Sequence, residues 1–556
     1  MSNSRRWLVA VVAAALVTGV AFAAGAAFPT THRIVDANGD VFDVAAPFTV
    51  DTVPPDAVVE DLTEELTESS DALEQTDARR RPPRDTTTTE PPRTTEPPST
   101  TRPPRDTTTT TQVPTSTTLP PDPGGGGVTQ VSGFIQGGFT VPAGETWAVD
   151  GEVIVDGDVT VMGTLQMRAG DTLTLDTGGN CQTQVMVMED GILDAVGSPK
   201  TGWTRNPLSA QGWLSTDEVL VAPIALDDYS FTAWNGGAAP RIASDLPAAE
   251  VLNLDRDVVI RSTVEHCGRV MFMELNNPQY MAYVEVDGLG IPGELGWYPI
   301  HLHMNGDATR GSLFEGVVVK NGGNHAFVYH ASHGVTARDT IAYDIVGAAY
   351  WWDGVRGGAE ENKTNDVVYD HAMAALVHPA DNGRGGSDFT NSGFSLMAGE
   401  GGVVTDSVAV AVLGPKDAAG FSWPALEEHM YVFEDNVAHN NTKNGIWVWH
   451  NSKSLNPIER FTAYSNGSAG IDHGAYNNNF TYTDIRLHNN GEAGVDLHAG
   501  TSGDQVWTNV TVTDSPEGIR FVSNASLQNW PVPFVCYVGP KVTDSRVVFS
   551  SCDDVA

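Results

Sequence analysis

Residues 445–520 carry the segment Gly445-Ile446-Trp447, then Gly470-Ile471-Asp472, Gly494-Val495-Asp496 and Gly518-Ile519-Arg520, at intervals of 25, 24 and 24. Gly420-Phe421 precedes the first by another 25. Each repeat holds a second short apolar run and an Asn-containing turn, as in Ala463-Tyr464-Ser465-Asn466 and Leu487-His488-Asn489-Asn490. No helical period of any length interrupts them. A repeat of this size built only from strands predicts a solenoid of stacked coils, because one coil cannot bury its inward side chains alone. Asn at a turn can satisfy its amide on the Asn of the next coil. A β-sandwich would also be all-β, but it does not require such regular spacing. The expected fold is therefore all-β, a parallel β-helix.

The same period reaches back toward residue 300. Asn324 to His330 and Gly347 to Asp353 align at an offset of 23, which predicts that His330 and Asp353 stack about one strand spacing, roughly 5 Å, apart. One coil earlier stands Tyr298-Pro299-Ile300-His301-Leu302-His303, followed by Gly306-Asp307. Side chains at i and i+2 leave a strand on one side, so His301 and His303 share a face. His301, His303, His330 and Asp353 are the candidate catalytic residues. The bland alternative is a polar ladder on a solvated sheet. Trp351 and Trp352 are adjacent, so one points inward and the other can stack on a sugar ring; Trp447 offers a second platform with Trp449. Calcium prefers oxygen ligands, which makes Asp307 and Asp344 the metal candidates, with Asp353 a further oxygen donor. Zinc or another divalent metal on the His pair and one carboxylate is the alternative.

The remaining chain bounds the setting. Arg5 and Arg6 precede an apolar run from Trp7 to about Ala24, and small residues follow, so residues 1–27 read as a signal peptide or an amino-terminal anchor. Residues 28–78 are acidic; Asp36 to Asp40 opens like a calcium loop but lacks the required Glu and reads as an ordinary loop. Residues 79–127 are Thr, Pro, Arg and Gly and predict an extended spacer. Residues 128–270 hold short strands punctuated by Gly, Asn and Asp and read as the first coils, and 271–556 read as the β-helix. Four cysteines are few; in an oxidising compartment Cys536 can pair with Cys552, leaving Cys181 and Cys267 to each other, although other pairings are open.

The formal net charge is −39, and seven arginines between residues 79 and 106 belong to the spacer. The body is thus more acidic still, which argues against nucleic acid as a partner.

Several further segments carry a family likeness. Gly197-Ser198-Pro199-Lys200-Thr201-Gly202-Trp203-Thr204, Gly212-Trp213 with Asp217-Glu218-Val219, Leu254 to Ile260, Tyr298 to His303 with Gly306-Asp307, and Asp344, Gly347, Asp353 and Gly354 stand in the pattern of a known group. Together they resemble the cell-surface hyaluronidase family that includes the cell-migration-inducing hyaluronan-binding protein, and the related fibrocystin-like proteins. The likeness spans about residues 130–450. It implies a glycine-rich amino-terminal β-domain continuous with a right-handed parallel β-helix, and a calcium-dependent, endo-acting hyaluronan depolymerase. The arginine that the family places before Tyr-Pro-Ile-His is Trp297 here. The resulting expectation is a secreted monomer acting on an extracellular polysaccharide. A non-catalytic glycan-binding, adhesion or envelope protein is the first alternative. A uronate polysaccharide lyase is the second, although residues 296–380 supply no Lys or Arg with a clear place in the groove.

Overall fold

The computed structural model describes residues 31–35, 41–45 and 58–59, then 127–522 apart from 214–217, 225–229, 354–362, 381–390, 397–398, 415–417, 424–427, 450–454, 475–478 and 499–504, and finally 547–549. The expected signal peptide, the spacer, Cys536 and Cys552 lie outside the described residues. Within residues 1–118, the strands Thr31–Val35, Val41–Ala45 and Val58–Val59 pair antiparallel; Asp36 to Asp40 lie outside the described residues.

From Thr129 onward the chain is a parallel β-helix. Successive coils add one strand each to a 13-stranded sheet and further strands to a 23-stranded one, counted over the described residues. The strands between Thr129 and Val196, within the region expected to hold the glycine-rich β-domain, belong to these sheets. In-register stacking lines up like residues. Phe327, Tyr350, Phe394 and Phe421 are partners on adjacent strands, and their rings stack at 5.0, 4.6 and 4.7 Å inside the coil. Asn441 donates its side-chain amide to Asn466 and Asn466 to Asn490, both at 2.9 Å, as the turn spacing predicts. Each buried amide is thereby satisfied by the coil above.

The repeat glycine has a steric cause. A Cβ on Gly445 would lie 2.5 Å from the carbonyl oxygen of Gly470, and one on Gly470 would lie 2.8 Å from that of Gly494. The column therefore admits no side chain at all.

Residues 203–253 leave the solenoid. The strands Trp203–Thr204, Val219–Val221, Thr232–Ala233 and Val251–Asn253 form a four-stranded antiparallel sheet. This insert packs Trp203, Leu246 and Leu252 on the outer face of the helix, over Val318, Ile341, Met373, Val408 and Val437. Trp203 stacks on His371 with ring centroids 3.9 Å apart and donates its indole N–H to the His371 carbonyl at 3.0 Å. The disulfide Cys181–Cys267 encloses the whole insert, 86 positions apart.

An ion pair pins the insert. Glu250 is 0% exposed and accepts from Arg205 Nε at 2.9 Å, while its other oxygen meets His439 Nε2 at 2.8 Å. Burial pushes the Glu250 carboxyl up, but His439 and Arg205 outweigh it and bring it down to about 2. A depressed carboxyl stabilises the fold above its unfolded value and loses that contribution as pH falls toward the folded one.

Two outcomes follow for stability. Gly470→Ala forces the column apart and is expected to cost about 1–3 kcal/mol in urea unfolding; an unchanged midpoint would show that the corner has room. Glu250→Gln strips His439 and Arg205 of their buried counter-charge and is expected to cost about 3–5 kcal/mol. The wild type should lose stability between about pH 4.5 and 2. A Glu250→Gln protein with the wild-type acid profile would refute that assignment.

Candidate functional site

The site is built by three adjacent strands of the 13-stranded sheet: Ile300–Gly306, Phe327–Ser332 and Tyr350–Asp353. Their register places His303 beside His330 and His330 beside Asp353, so the offset of 23 read from the repeat holds. His301, Val328 and Trp351 form the neighbouring column. Both columns alternate with the inward one of Leu302, Tyr329 and Trp352, all buried.

The three imidazoles meet. Ring centroids of His301 and His303 are 5.2 Å apart, those of His303 and His330 also 5.2 Å, and those of His301 and His330 6.4 Å. Their access differs. His301 is 2% exposed, at the back of the cluster, whereas His303 and His330 are half-buried. His301 Nδ1 faces the Gly296 carbonyl at 3.2 Å, which places the proton on Nδ1 and a lone pair on the buried, unpartnered Nε2.

Electrostatics keeps the cluster neutral. Burial lowers His301 well below the usual imidazole range, and His303 adds to it. Burial also lowers His303, with contributions from His330 and Arg269, and lowers His330. Each imidazole would oppose protonation of the next, since like charges at this range cost free energy.

Three residues complete the wall, and none was singled out from sequence. Tyr298 lies 4.8 Å from His301 and 5.8 Å from Trp351 between ring centroids. His325 sits behind Trp351 at 4.1 Å, accepts the Ala348 N–H at 2.6 Å, and is brought down to about 3 by burial. Gly347 is the matching gap: a Cβ there would lie 2.5 Å from the His325 ring. Arg269 comes from the preceding coil. Its guanidinium lies 4.1 Å over Trp297 and donates to the Gly296 carbonyl at 2.6 Å, the same oxygen that His301 faces. The signal for Arg269 was the pairing of Val270 with Ile300, which only the register of the preceding coil discloses.

Other expected residues fall elsewhere. Trp352 is 1% exposed and donates its indole N–H inward to the Thr364 carbonyl, so it cannot meet a ligand; Trp351 is the outward member of the pair. Trp447 shares its face with Trp449, stacked at 5.9 Å, but is only 4% exposed. Asp472 and Asp496 continue its column, engaged by His498 at 2.8 Å and by Arg520 at 2.8 Å respectively.

Asp307 stands on a short 3-10 turn and pairs with Arg310 at 2.9 Å. Asp344 lies in the other sheet and pairs with His378 at 2.8 Å. Asp344 thus lies on a different sheet from the imidazoles, and Asp307 follows the end of their first strand, engaged by Arg310. Among the described residues no three His, Cys, Asp or Glu side chains converge as metal ligands.

Residues 265–487 match the family model described as CEMIP beta-helix. That segment is similar to the CEMIP beta-helix. The match holds all three strands of the imidazole site, Arg269 and the Trp447 face. Fibrocystin-L of Mus musculus and of Homo sapiens are each 38% identical over 77 residues, 14% of this chain and 2% of the relative. The matched part is thus a small fraction of those proteins. Among solved structures, the A-module of the Azotobacter vinelandii mannuronan C-5 epimerase AlgE4 is 12% identical with a TM-score of 0.30, covering 65% of this chain and 83% of that one. The receptor binding domain of the siphovirus 9NA tailspike is 11% identical with a TM-score of 0.26, covering 73% and 74%.

The neutral cluster makes a direct prediction. Imidazole NMR signals of His303 and His330 should titrate below pH 6.5 in the folded protein. Stability should fall as pH drops through that range, since the unfolded state binds protons more readily. A signal titrating above the free-imidazole range would contradict the packing described.

Proposed function

We propose that the His303–His330–Asp353 face is the active site of an extracellular, endo-acting glycan depolymerase. The observation that carries this reading is the neutral imidazole cluster on an open sheet face, beside Trp351. Cleaving a glycosidic bond by hydrolysis needs a group that takes a proton from water and one that gives a proton to the leaving oxygen. A neutral imidazole at His303 or His330 is suited to the first role. Asp353, in register with His330, is the candidate for the second. His301 is a positioning residue behind them, its tautomer held by Gly296. Trp351 offers a ring face for a sugar. The likeness to the cell-surface hyaluronidase family favours hyaluronan as the substrate. The apolar run at Trp7 and the Cys181–Cys267 disulfide support export to an oxidising compartment.

One observation favours a second reading, a uronate polysaccharide lyase. β-Elimination needs a base for the proton next to the carboxylate and a cation against the carboxylate itself. Arg269 brings a guanidinium close enough to act on His301 and His303. The segment 296–380 did not supply such a cation.

Both readings meet in one assay. Purified protein is incubated with hyaluronan, chondroitin, pectate and a neutral glycan, and chain length and ultraviolet absorbance are followed. Parallel reactions with calcium, zinc and chelator read any ion requirement. Chain shortening without new absorbance marks hydrolysis; shortening with the absorbance of an unsaturated uronate marks elimination. His303→Ala with His330→Ala should lower the rate at least about 100-fold while the melting transition stays cooperative. The rate should also fall as pH drops below the imidazole range, where the base is protonated. No shortening of any of these glycans by the wild type would reject the enzyme in favour of a binding or adhesion protein.

A further inference from the structure

The insert covers only part of the sheet on which it rests, and the outward residues change where it stops. Beneath it one column reads Val318, Ile341, Met373, Val408 and Val437. The same column then continues as Thr462, Arg486 and Thr511. Apolar residues that the insert buries thus give way to polar ones.

At this step lies a cavity of about 610 Å³. That volume falls within the range of ligand sites, roughly 300–1,000 Å³. Arg205 and Pro247 of the insert form one side, and Thr462, Arg486 and Thr511 lie along the floor. From Val437 to Thr511 the floor crosses three strand spacings, about 14 Å, parallel to the solenoid axis.

The charges in the cleft are unequally satisfied. Arg205 is taken by Glu250 at 2.9 Å. Arg460 is taken by Asp435 at 2.9 Å and by Glu459 at 3.1 Å. Asp484 accepts from Asn509 at 2.5 Å. Arg486 is exposed, and no carboxylate among the described residues engages it. Asp406 and Asp484 are the exposed carboxylates of the lining; Arg486, in register between Thr462 and Thr511, is the cationic group on the floor.

We propose that this cleft is a second glycan-binding site, separate from the imidazole face, for an anionic oligosaccharide laid along the axis. Arg486 takes a carboxylate or sulfate through its fork of N–H donors. Thr462 and Thr511 exchange hydrogen bonds with sugar hydroxyls on either side, and the edge of the insert limits how far the strand extends. The site holds a glycan without cleaving it. It does not depend on the imidazole face being catalytic, and the two sites lie on different sheets of the solenoid.

The test uses the full chain and two probes: a hexasaccharide of alternating glucuronate and N-acetylglucosamine, and the neutral N-acetylglucosamine hexasaccharide. Titration calorimetry reads affinity. Modification by phenylglyoxal, read by mass spectrometry on the peptide carrying Arg486, reads the place of binding. The acidic probe should bind more tightly than the neutral one, weaken with added salt, and protect Arg486 from modification. Arg486→Gln should weaken it at least about tenfold with an unchanged melting temperature, since the side chain is exposed. His303→Ala with His330→Ala should leave this protection intact, which separates the cleft from the proposed active site. The proposal is overturned if Arg486 is modified equally with and without the acidic probe. It is equally overturned if Arg486→Gln binds that probe as tightly as the wild type.

Discussion

Every feature of this protein depends on coils that stack in parallel, in register, at one strand spacing. Each residue then inherits the same position one coil later as its neighbour, and whatever it cannot satisfy within its own coil must be satisfied there. Phe327, Tyr350, Phe394 and Phe421 meet this constraint as a column of rings, and Asn441, Asn466 and Asn490 as a chain of amides. Gly445 and Gly470 meet it by having no side chain where the next carbonyl approaches. A sheet of this kind tolerates few exceptions, because a residue that fails in one coil disturbs two others.

The same stacking gathers chemistry. His303 and His330 are neighbours because their strands are, and burial together with mutual repulsion holds them neutral. Elsewhere in the fold, imidazoles lie within hydrogen-bond distance of carboxylates, as His378 does of Asp344 and His498 of Asp472. In the cluster on the Ile300–Gly306 strand, His301 and His303 pack against other imidazoles and, at His301, the Tyr298 ring, with the Arg269 guanidinium nearby. That environment favours a lone pair over a proton, which is what a base requires at neutral pH.

The insert shows how a solenoid acquires a second kind of surface. Its apolar side chains cover a column that would otherwise be exposed, and Glu250 fixes it through buried His439 of the solenoid, with Arg205 of the insert on its other oxygen. Where the cover ends, the column turns polar. The result is a step with a charged floor, whereas the imidazole face is an open sheet. Two surfaces of different chemistry thus arise from one repeating coil.

Much of the fold was legible in the sequence because a period is a local property. The glycine interval implied stacked coils, and the offset of 23 placed His330 beside Asp353. The alternation of a strand separated Trp351 from Trp352 without saying which one faced solvent. Only the tertiary structure decided that Trp352 is the inward one, that Asp344 turns to the other sheet, and that Asp307 leaves the face on a short turn. A single residue of register or one bend reverses the side on which a residue emerges. Arg269 and His325 escaped for another reason. Arg269 comes from the preceding coil, His325 lies within the Asn324 to His330 segment but behind Trp351, and their roles come from packing across coils. Chain order determined the solenoid and the imidazole column; which groups surround that column, and so its protonation, was decided by three-dimensional contact.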